Sequence, residues 1–182
     1  TGEILVTKPD LKAELANILH YLRTVFPEAL PQLDDRLRAA WREAGLPPEA
    51  LSEPSAFPLL RMGSWVGGDR DGHPFVTADV TRSALLQMRQ AALQLVRSRL
   101  TRLGSRVSLS RRLQDATPEL LEAVKDLSER IGAASTEGMA RNPDEPWRQF
   151  VNLMILRLPS ESPGAEPREW TYASPEDLDA DL

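Results

Sequence analysis

The sequence contains no cysteine and only two histidines among its 182 residues. Without cysteine there can be neither a disulfide framework nor a thiolate zinc site, and this usage fits a reducing cytoplasm. No apolar run reaches the roughly 18 residues needed to cross a bilayer, and the opening T-G-E-I-L-V-T-K lacks the pattern of a signal peptide. We therefore expect a cytoplasmic protein without a membrane segment.

Positive charge is also in deficit. The chain has 22 Lys and Arg against 27 Asp and Glu, a net charge of −5. Nucleic-acid-binding domains are usually basic, so this balance argues against that class. The length and the hydrophobic content of 41% are sufficient for one domain with a real core.

Glycine, by contrast, is concentrated in one place. Residues 63–77 read G-S-W-V-G-G-D-R-D-G-H-P-F-V-T and hold four of the ten glycines. Each glycine would destabilise a helix by about 1 kcal/mol, so the segment is predicted to be a loop whose backbone needs positive φ or close approach. We take this loop as the candidate site.

Helical patterns dominate the rest of the chain. We predict a mainly α fold of about five to six helices with at most one or two short strands. Residues 1–45 form a helical pair and residues 78–158 a helical bundle, with a mobile loop over 159–173 and a truncated helix start over 174–182. Because a helix with clear capping signals begins so near the last residue, we expect a piece of a longer protein.

Punctuation residues set the expected helix limits. Thr7 should cap the first helix, and Pro27 should end or interrupt it, giving an antiparallel pair or a kinked rod. Gly45 and Gly104 are expected to stop helices. The same reasoning assigns Thr77, Thr117 and Ser174 as N-caps and Gly132 as a helix end, with a polar connector over 133–144.

Residues 56–77 are expected to hold a strand followed by the glycine-rich loop. Residues 57–66, F-P-L-L-R-M-G-S-W-V, form a short apolar run between proline and a glycine pair, as in a buried strand. A single strand cannot satisfy its own backbone. It must therefore pair with strands outside this chain, or become irregular coil.

An arginine-rich stretch without acids extends from Val80 to Gln114. It could bind a phosphate or another polyanion, or it could be a solvated face paired with acids such as Glu119, Glu122 and Asp126. The eight arginines are Arg82, Arg89, Arg97, Arg99, Arg102, Arg106, Arg111 and Arg112.

The loop matches no common catalytic or metal motif. The spacing after Asp69 lacks the oxygen ligands and closing Glu of a calcium loop. The phosphate-binding patterns G-x-x-x-x-G-K-[ST] and G-x-G-x-x-G are both absent. His73 has no nucleophile or second histidine near it, and His20 beside the first apolar stripe has no partner motif. Two roles stay open for Asp69-Arg70-Asp71, since the triplet could clamp the turn or contact a substrate directly.

At these residues the sequence resembles phosphoenolpyruvate carboxylase, whose glycine-rich segment typically reads S-W-[IM]-G-G-D-R-D-G-N-P-x-V-T. The flanks also agree through the A-T-P-E-L-L and Y-x-S-P-E-[ED]-L patterns, so the resemblance covers nearly the whole chain. One departure is His73 in place of the usual Asn, which leaves the role of that side chain open.

The resemblance implies a lyase that carboxylates phosphoenolpyruvate with bicarbonate to oxaloacetate and phosphate, in carbon fixation and supply of the tricarboxylic acid cycle. It implies a much longer chain with a (β/α) barrel and many added helices, usually assembled as a homo-oligomer, with Mg²⁺ or Mn²⁺ as cofactor. The family's T-A-H-P-T-E histidine, its catalytic lysine, its metal carboxylates and its G-R-G-G-S loop do not occur here. The resemblance therefore implies no catalytic residue and no metal ligand in this chain, which would be inactive alone.

Carried over by position, Trp65 would line the apolar pocket for the substrate methylene. Arg70 would help to hold the turn and is also a candidate substrate contact. The remaining loop positions would shape and hold the turn, namely Gly67, Gly68, Asp69, Asp71 and Gly72. The expected partners are the remainder of the enzyme chain, phosphoenolpyruvate and bicarbonate, with no nucleic acid and no membrane. The alternative is a stand-alone helical module that binds phosphate or serves assembly without catalysis.

Overall fold

The computed structural model describes residues 10–69, 75–162 and 164–182. These residues form α-helices and short 3₁₀ segments with no β-strand among them, so the mainly α prediction is confirmed. The chain divides into two compact units, Thr1–Ala92 and Leu93–Leu182. The boundary lies inside one long helix. Among the described residues, no helix is long and apolar enough to cross a membrane.

The first unit begins with α1 (Leu11–His20), a π-helical turn (Tyr21–Val25) and α2 (Phe26–Glu43). Asp10 is the N-cap of α1 and accepts a 2.8 Å hydrogen bond from the Ala13 amide. The prediction that Thr7 caps this helix lies outside the described residues.

The π-helical turn connects α1 directly to α2, with no loop between them. Of the two arrangements expected at Pro27, the antiparallel pair is therefore wrong. Proline has no amide hydrogen and would clash with the preceding turn of a regular helix. In the structure the Phe26 amide donates to the Tyr21 carbonyl, five residues back, and this wider turn precedes the proline. Pro27 then sits in the first turn of α2, where a missing donor is tolerated.

The end of α2 follows the glycine signal. The cap itself is Ala44, and Gly45 follows it with φ of +70°. The amides of Gly45 and Leu46 donate to the carbonyls of Arg42 and Trp41, which is the Schellman arrangement. Two 3₁₀ segments come next, Pro48–Leu51 and Pro54–Ala56.

Residues 58–65 have no regular secondary structure and do not form the predicted strand. Within the described chain, no backbone hydrogen bond joins residues 58–64 to another segment. The strand prediction failed because no partner strand is available among these residues, and the coil alternative is what the structure has. Leu59 and Leu60 are consequently exposed.

Helix α3 (Ala78–Arg106) passes from the first unit into the second. It was expected to stop at Gly104, but it continues through that glycine. Gly104 is buried, and a Cβ built on it would make an ordinary van der Waals contact with Cγ1 of Val151 at 3.4 Å. Gly104 therefore lies inside the helix, facing the core, and does not end it.

The second unit also contains α4 (Pro118–Ile131), a 3₁₀ segment (Gly132–Ser135), α5 (Thr136–Ala140), α6 (Pro146–Arg157) and α7 (Pro175–Asp179). The connector expected over 133–144 is thus partly helical. Thr117 caps α4 through the Leu120 amide, and Gly132 ends it with φ of +69°, as predicted. Ser174 forms a capping box with Asp177 at α7.

Helix α6 lies at the centre of the hydrophobic core of the second unit. Leu153 packs with Val124, Leu127 and Ile131 of α4, and Met154 packs with a second group that includes Leu100 and Tyr172. Leu153 is fully buried and Met154 is 1% exposed. The apolar face of α6 thus joins two clusters into one core.

A buried polar group holds the last residues against α6. Arg157 pairs with Asp181, donates to the Trp170 carbonyl at 3.2 Å, and lies 4.0 Å from the centre of the Tyr172 ring. The Tyr172 hydroxyl donates to the same Asp181 carboxylate at 2.5 Å. Burial raises the pKa of Tyr172 well above its ordinary value, with a further rise from Asp181 and an opposing effect from Arg157.

Candidate functional site

The structure describes two parts of the predicted loop, residues 63–69 and 75–77. Residues 70–74 lie outside the described residues. The roles predicted for Arg70, Asp71 and Gly72 are therefore not tested by the geometry, and the role of His73 stays open.

Residues 65–69 form a tight turn centred on one carbonyl. The Trp65 oxygen accepts hydrogen bonds from the amides of Gly68 at 2.9 Å and Asp69 at 3.0 Å. One residue earlier, the Ser64 hydroxyl accepts from the Val66 amide at 3.1 Å. These three local bonds fix the backbone on both sides of Trp65.

Val66 packs the turn against two helices. This side chain is buried with Leu15 of α1 and Ala84 of α3. Further apolar side chains of the same helices pack against the group, namely Leu11, Ile18, Leu19 and Met88. The apolar side chains of α1 thus pack beneath the candidate site.

Gly67 satisfies both reasons for which glycine was expected here. Its φ is +80°, a conformation that residues with a Cβ rarely adopt. A Cβ at this position would also lie 2.5 Å from the Cβ of Ala84. Gly68 is less constrained, since among the described residues a Cβ there would meet only the Trp65 carbonyl, at 3.6 Å.

The turn directs a large apolar side chain outward. Trp65 is 78% exposed although its backbone is held on both sides. Phe75, the first described residue in the second part of the loop, is 76% exposed. An exposed indole on a fixed turn suits the predicted pocket wall, and that role stays a prediction because the opposite wall is not in the described chain.

The loop leads into α3 as predicted. Val76 is buried, and the Thr77 hydroxyl accepts from the Val80 amide at 3.4 Å, the position of an N-cap. Asp79 lies in the first turn, near the positive end of the helix dipole, and pairs with Arg82 at 3.1 Å. These contacts anchor the second side of the loop.

The described residues do not offer a site for the expected divalent metal. Within residues 10–69, 75–162 and 164–182 there is no group of three or more His, Cys, Asp or Glu that could hold a metal ion. Mg²⁺ needs several oxygen ligands in near-octahedral geometry. We therefore assign no metal ligand to these residues.

The arginine stretch is partly explained by ion pairs. Arg82, Arg97 and Arg112 each pair at 3.1 Å, with Asp79, Glu161 and Asp144 respectively. These acids differ from the three that the sequence suggested on α4. Pairing with acids accounts for these three arginines, while anion binding by the stretch stays a prediction.

His20 lies at the surface. Its ring meets that of Tyr21 edge-on, with ring centres 5.9 Å apart. This neighbour is an aromatic ring rather than a partner for acid–base chemistry.

Sequence reasoning missed the helix residue beneath the turn. The helical pattern of apolar residues after Val80 includes Ala84 without singling it out, yet it is the residue that Gly67 touches. Periodicity reports which face of a helix is buried, but it does not report which segment covers that face. The only available signal was a small residue two turns after the helix start.

The family model described as phosphoenolpyruvate carboxylase matches residues 1–174. The chain belongs to this family. The phosphoenolpyruvate carboxylase of Nocardia farcinica is 33% identical over 194 aligned residues, which cover 99% of this chain. That of Bradyrhizobium diazoefficiens is 35% identical with 97% of the chain covered, and that of an Azoarcus species is 38% identical with 80% covered.

The chain spans only a small part of these carboxylases. The alignments cover 20% of the Nocardia protein, 18% of the Bradyrhizobium protein and 15% of the Azoarcus protein. No solved structure gives a significant match.

Proposed function

We propose that this chain is an internal part of an enzyme that carboxylates phosphoenolpyruvate with bicarbonate, giving oxaloacetate and phosphate. The observation that carries the proposal is the family match over residues 1–174, which includes the loop seated on α1 and α3. In this proposal the chain supplies one wall of the active site. The catalytic groups and the Mg²⁺ or Mn²⁺ ligands come from the remainder of the enzyme chain.

Trp65 is the residue through which this wall acts. Its indole would pack against the substrate methylene and exclude water from the carbon that forms the new bond. The support is its position, since the side chain is exposed while three local hydrogen bonds hold the backbone around it. Arg70 is proposed as a second substrate contact on the evidence of the motif alone.

The surface around residues 58–65 supports a large intramolecular partner. Leu59, Leu60 and Met62 are exposed at 78%, 47% and 44%. An open groove of about 690 Å³ is lined mainly by apolar residues of α2 and of residues 54–60, including Leu33 and Phe57, with Asp34 and Ser55 as its polar members. We propose that the remainder of the enzyme chain covers this surface and pairs with the free backbone.

The main test uses the complete reading frame that encodes this chain. Oxaloacetate formation from phosphoenolpyruvate and bicarbonate is followed by coupling it to malate dehydrogenase. Trp65→Ala should raise the KM for phosphoenolpyruvate by about tenfold or more, since losing the apolar contact removes roughly 1.5–3 kcal/mol. Trp65→Phe should lie between the wild type and the alanine variant. An unchanged KM in Trp65→Ala would contradict the wall role.

A second experiment addresses the chain by itself. The purified 182-residue chain should form no oxaloacetate in the same assay, because the catalytic groups are expected elsewhere. Titration with phosphorylated ligands distinguishes the alternative, since tight binding that depends on the 82–112 arginines would support a stand-alone phosphate-binding module. Light scattering across a dilution series tests self-association through the exposed apolar surface.

A further inference from the structure

The backbone of the turn lies very close to one residue of α3. Ala84 is 3% exposed, and its Cβ would lie 2.5 Å from a Cβ built on Gly67. The next nearest atom is the Val80 carbonyl oxygen at 3.9 Å. The backbone of the turn therefore rests directly on the helix surface at Ala84, with no room for a larger pair of residues.

This contact is linked to Trp65 by short covalent and hydrogen-bonded paths. Gly67 is two residues after Trp65, and the amides that follow it donate to the Trp65 carbonyl. Between them, Val66 is buried against the same helix residue. A change in the height of Gly67 above α3 would thus move the backbone that carries the indole.

We propose that Ala84 is a positioning residue of the active site: its methyl group against Gly67 sets where the turn holds Trp65. The inference rests on the proposed function for the role of Trp65, and on the geometry alone for the contact. A larger side chain at 84 displaces the turn from the helix. A smaller one leaves space into which the turn shifts.

Matched variants of the complete enzyme test this role. Ala84→Val and Ala84→Gly change the contact in opposite directions. Ala91, two turns later on α3 and 6% exposed, provides controls through Ala91→Val and Ala91→Gly. These carry the same change in volume and helix propensity in a buried position away from the loop.

The kinetic readout separates positioning from loss of folded enzyme. Ala84→Val should raise the KM for phosphoenolpyruvate on the order of tenfold with kcat within about twofold, because small misplacements of a contact group weaken productive binding. Destabilisation alone would lower the active fraction, and therefore kcat, without changing KM. A lowered kcat at unchanged KM, or an equal rise of KM in Ala91→Val, would overturn the proposal.

A double-mutant cycle tests the contact itself. Gly67→Ala should raise KM strongly, and adding Ala84→Gly should recover part of that loss because it removes the atom that the new Cβ would strike. Recovery will be partial, since φ of +80° still disfavours alanine. Additive effects of the two substitutions would contradict direct contact.

Hydrogen exchange gives a readout that does not depend on activity. Ala84→Gly should accelerate exchange at the Gly68 and Asp69 amides by about tenfold or more, because the turn loses its support, while Ala91→Gly should leave both amides unchanged. Equal exchange in the two variants would overturn the contact. If the wild-type enzyme forms no oxaloacetate, the proposed function fails and this exchange comparison still decides the structural part.

Discussion

Replacing Asp181 by alanine should be among the more damaging single changes in the second unit. Arg157 is buried, with 7% of its side chain exposed, and its ionic partner is the Asp181 carboxylate, which is 22% exposed. Removing one partner of a buried pair leaves an uncompensated charge and typically costs about 3–5 kcal/mol. Because Asp181 is partly exposed and the Trp170 carbonyl still accepts from Arg157, we expect Asp181→Ala to cost about 3 kcal/mol.

Replacing Arg157, the other partner of the ion pair, should be less destabilising. Arg157→Met keeps most of the side-chain packing and leaves Asp181, which water can already reach. We therefore expect Arg157→Met to lower the free energy of unfolding by about half as much as Asp181→Ala. The asymmetry follows from which of the two charges is the more deeply buried.

Urea unfolding of the 182-residue chain, followed by far-UV circular dichroism, measures both changes. Asp179→Ala is the control, because Asp179 is the last residue of α7, two positions before Asp181, and is exposed. The control should shift the unfolding free energy by less than about 0.5 kcal/mol. Equal losses in Asp181→Ala and Asp179→Ala, or a larger loss in Arg157→Met than in Asp181→Ala, would refute the reasoning.

Three further predictions concern local features. The unfolded chain ionises its tyrosines near pH 10.0, before the folded chain ionises Tyr172. Tyr172 should therefore make the unfolding free energy fall above that pH, by up to about 1.4 kcal/mol per pH unit. Urea titrations at increasing pH should show a smaller fall in Tyr172→Phe than in the wild-type chain, and an equal fall would contradict this. Gly104→Ala should raise the thermal midpoint, with a gain of up to about 1 kcal/mol, since the added Cβ meets Val151 only at 3.4 Å; a lowered midpoint would contradict this. Thr117→Ala should lose about 1 kcal/mol in urea unfolding through its missing cap, and an unchanged value would show that the Leu120 hydrogen bond contributes nothing.

Local signals in the sequence predicted the helix ends that depend on neighbouring residues. Thr117 and Ser174 act as N-caps because a hydroxyl there reaches an amide three residues on, whatever the rest of the fold does. Gly132 likewise ends its helix through its own backbone conformation. The glycine-rich loop was recognisable for the same reason, since Gly67 has the positive φ that its composition suggested.

The failures occurred where distant residues decide the outcome. Gly104 lies inside a helix, in a buried position that faces Val151, a residue 47 positions later in the sequence. Pro27 interrupts nothing beyond one turn, because a π-helical turn places it where a missing donor is tolerated. The apolar run at residues 57–66 required a partner strand that the described chain does not contain. Propensity cannot report any of these contacts.

The same Arg157 also determines how the chain between residues 158 and 171 can vary in length. Its backbone carbonyl accepts from the Tyr172 amide at 2.9 Å, while its side chain holds the Trp170 carbonyl, so both ends of this loop meet at one residue. For a loop closed at its base, doubling the length adds only about 0.6 kcal/mol of closure entropy. Homologous insertions, or an engineered epitope, could therefore be accommodated here while α6 and Tyr172 stay in register.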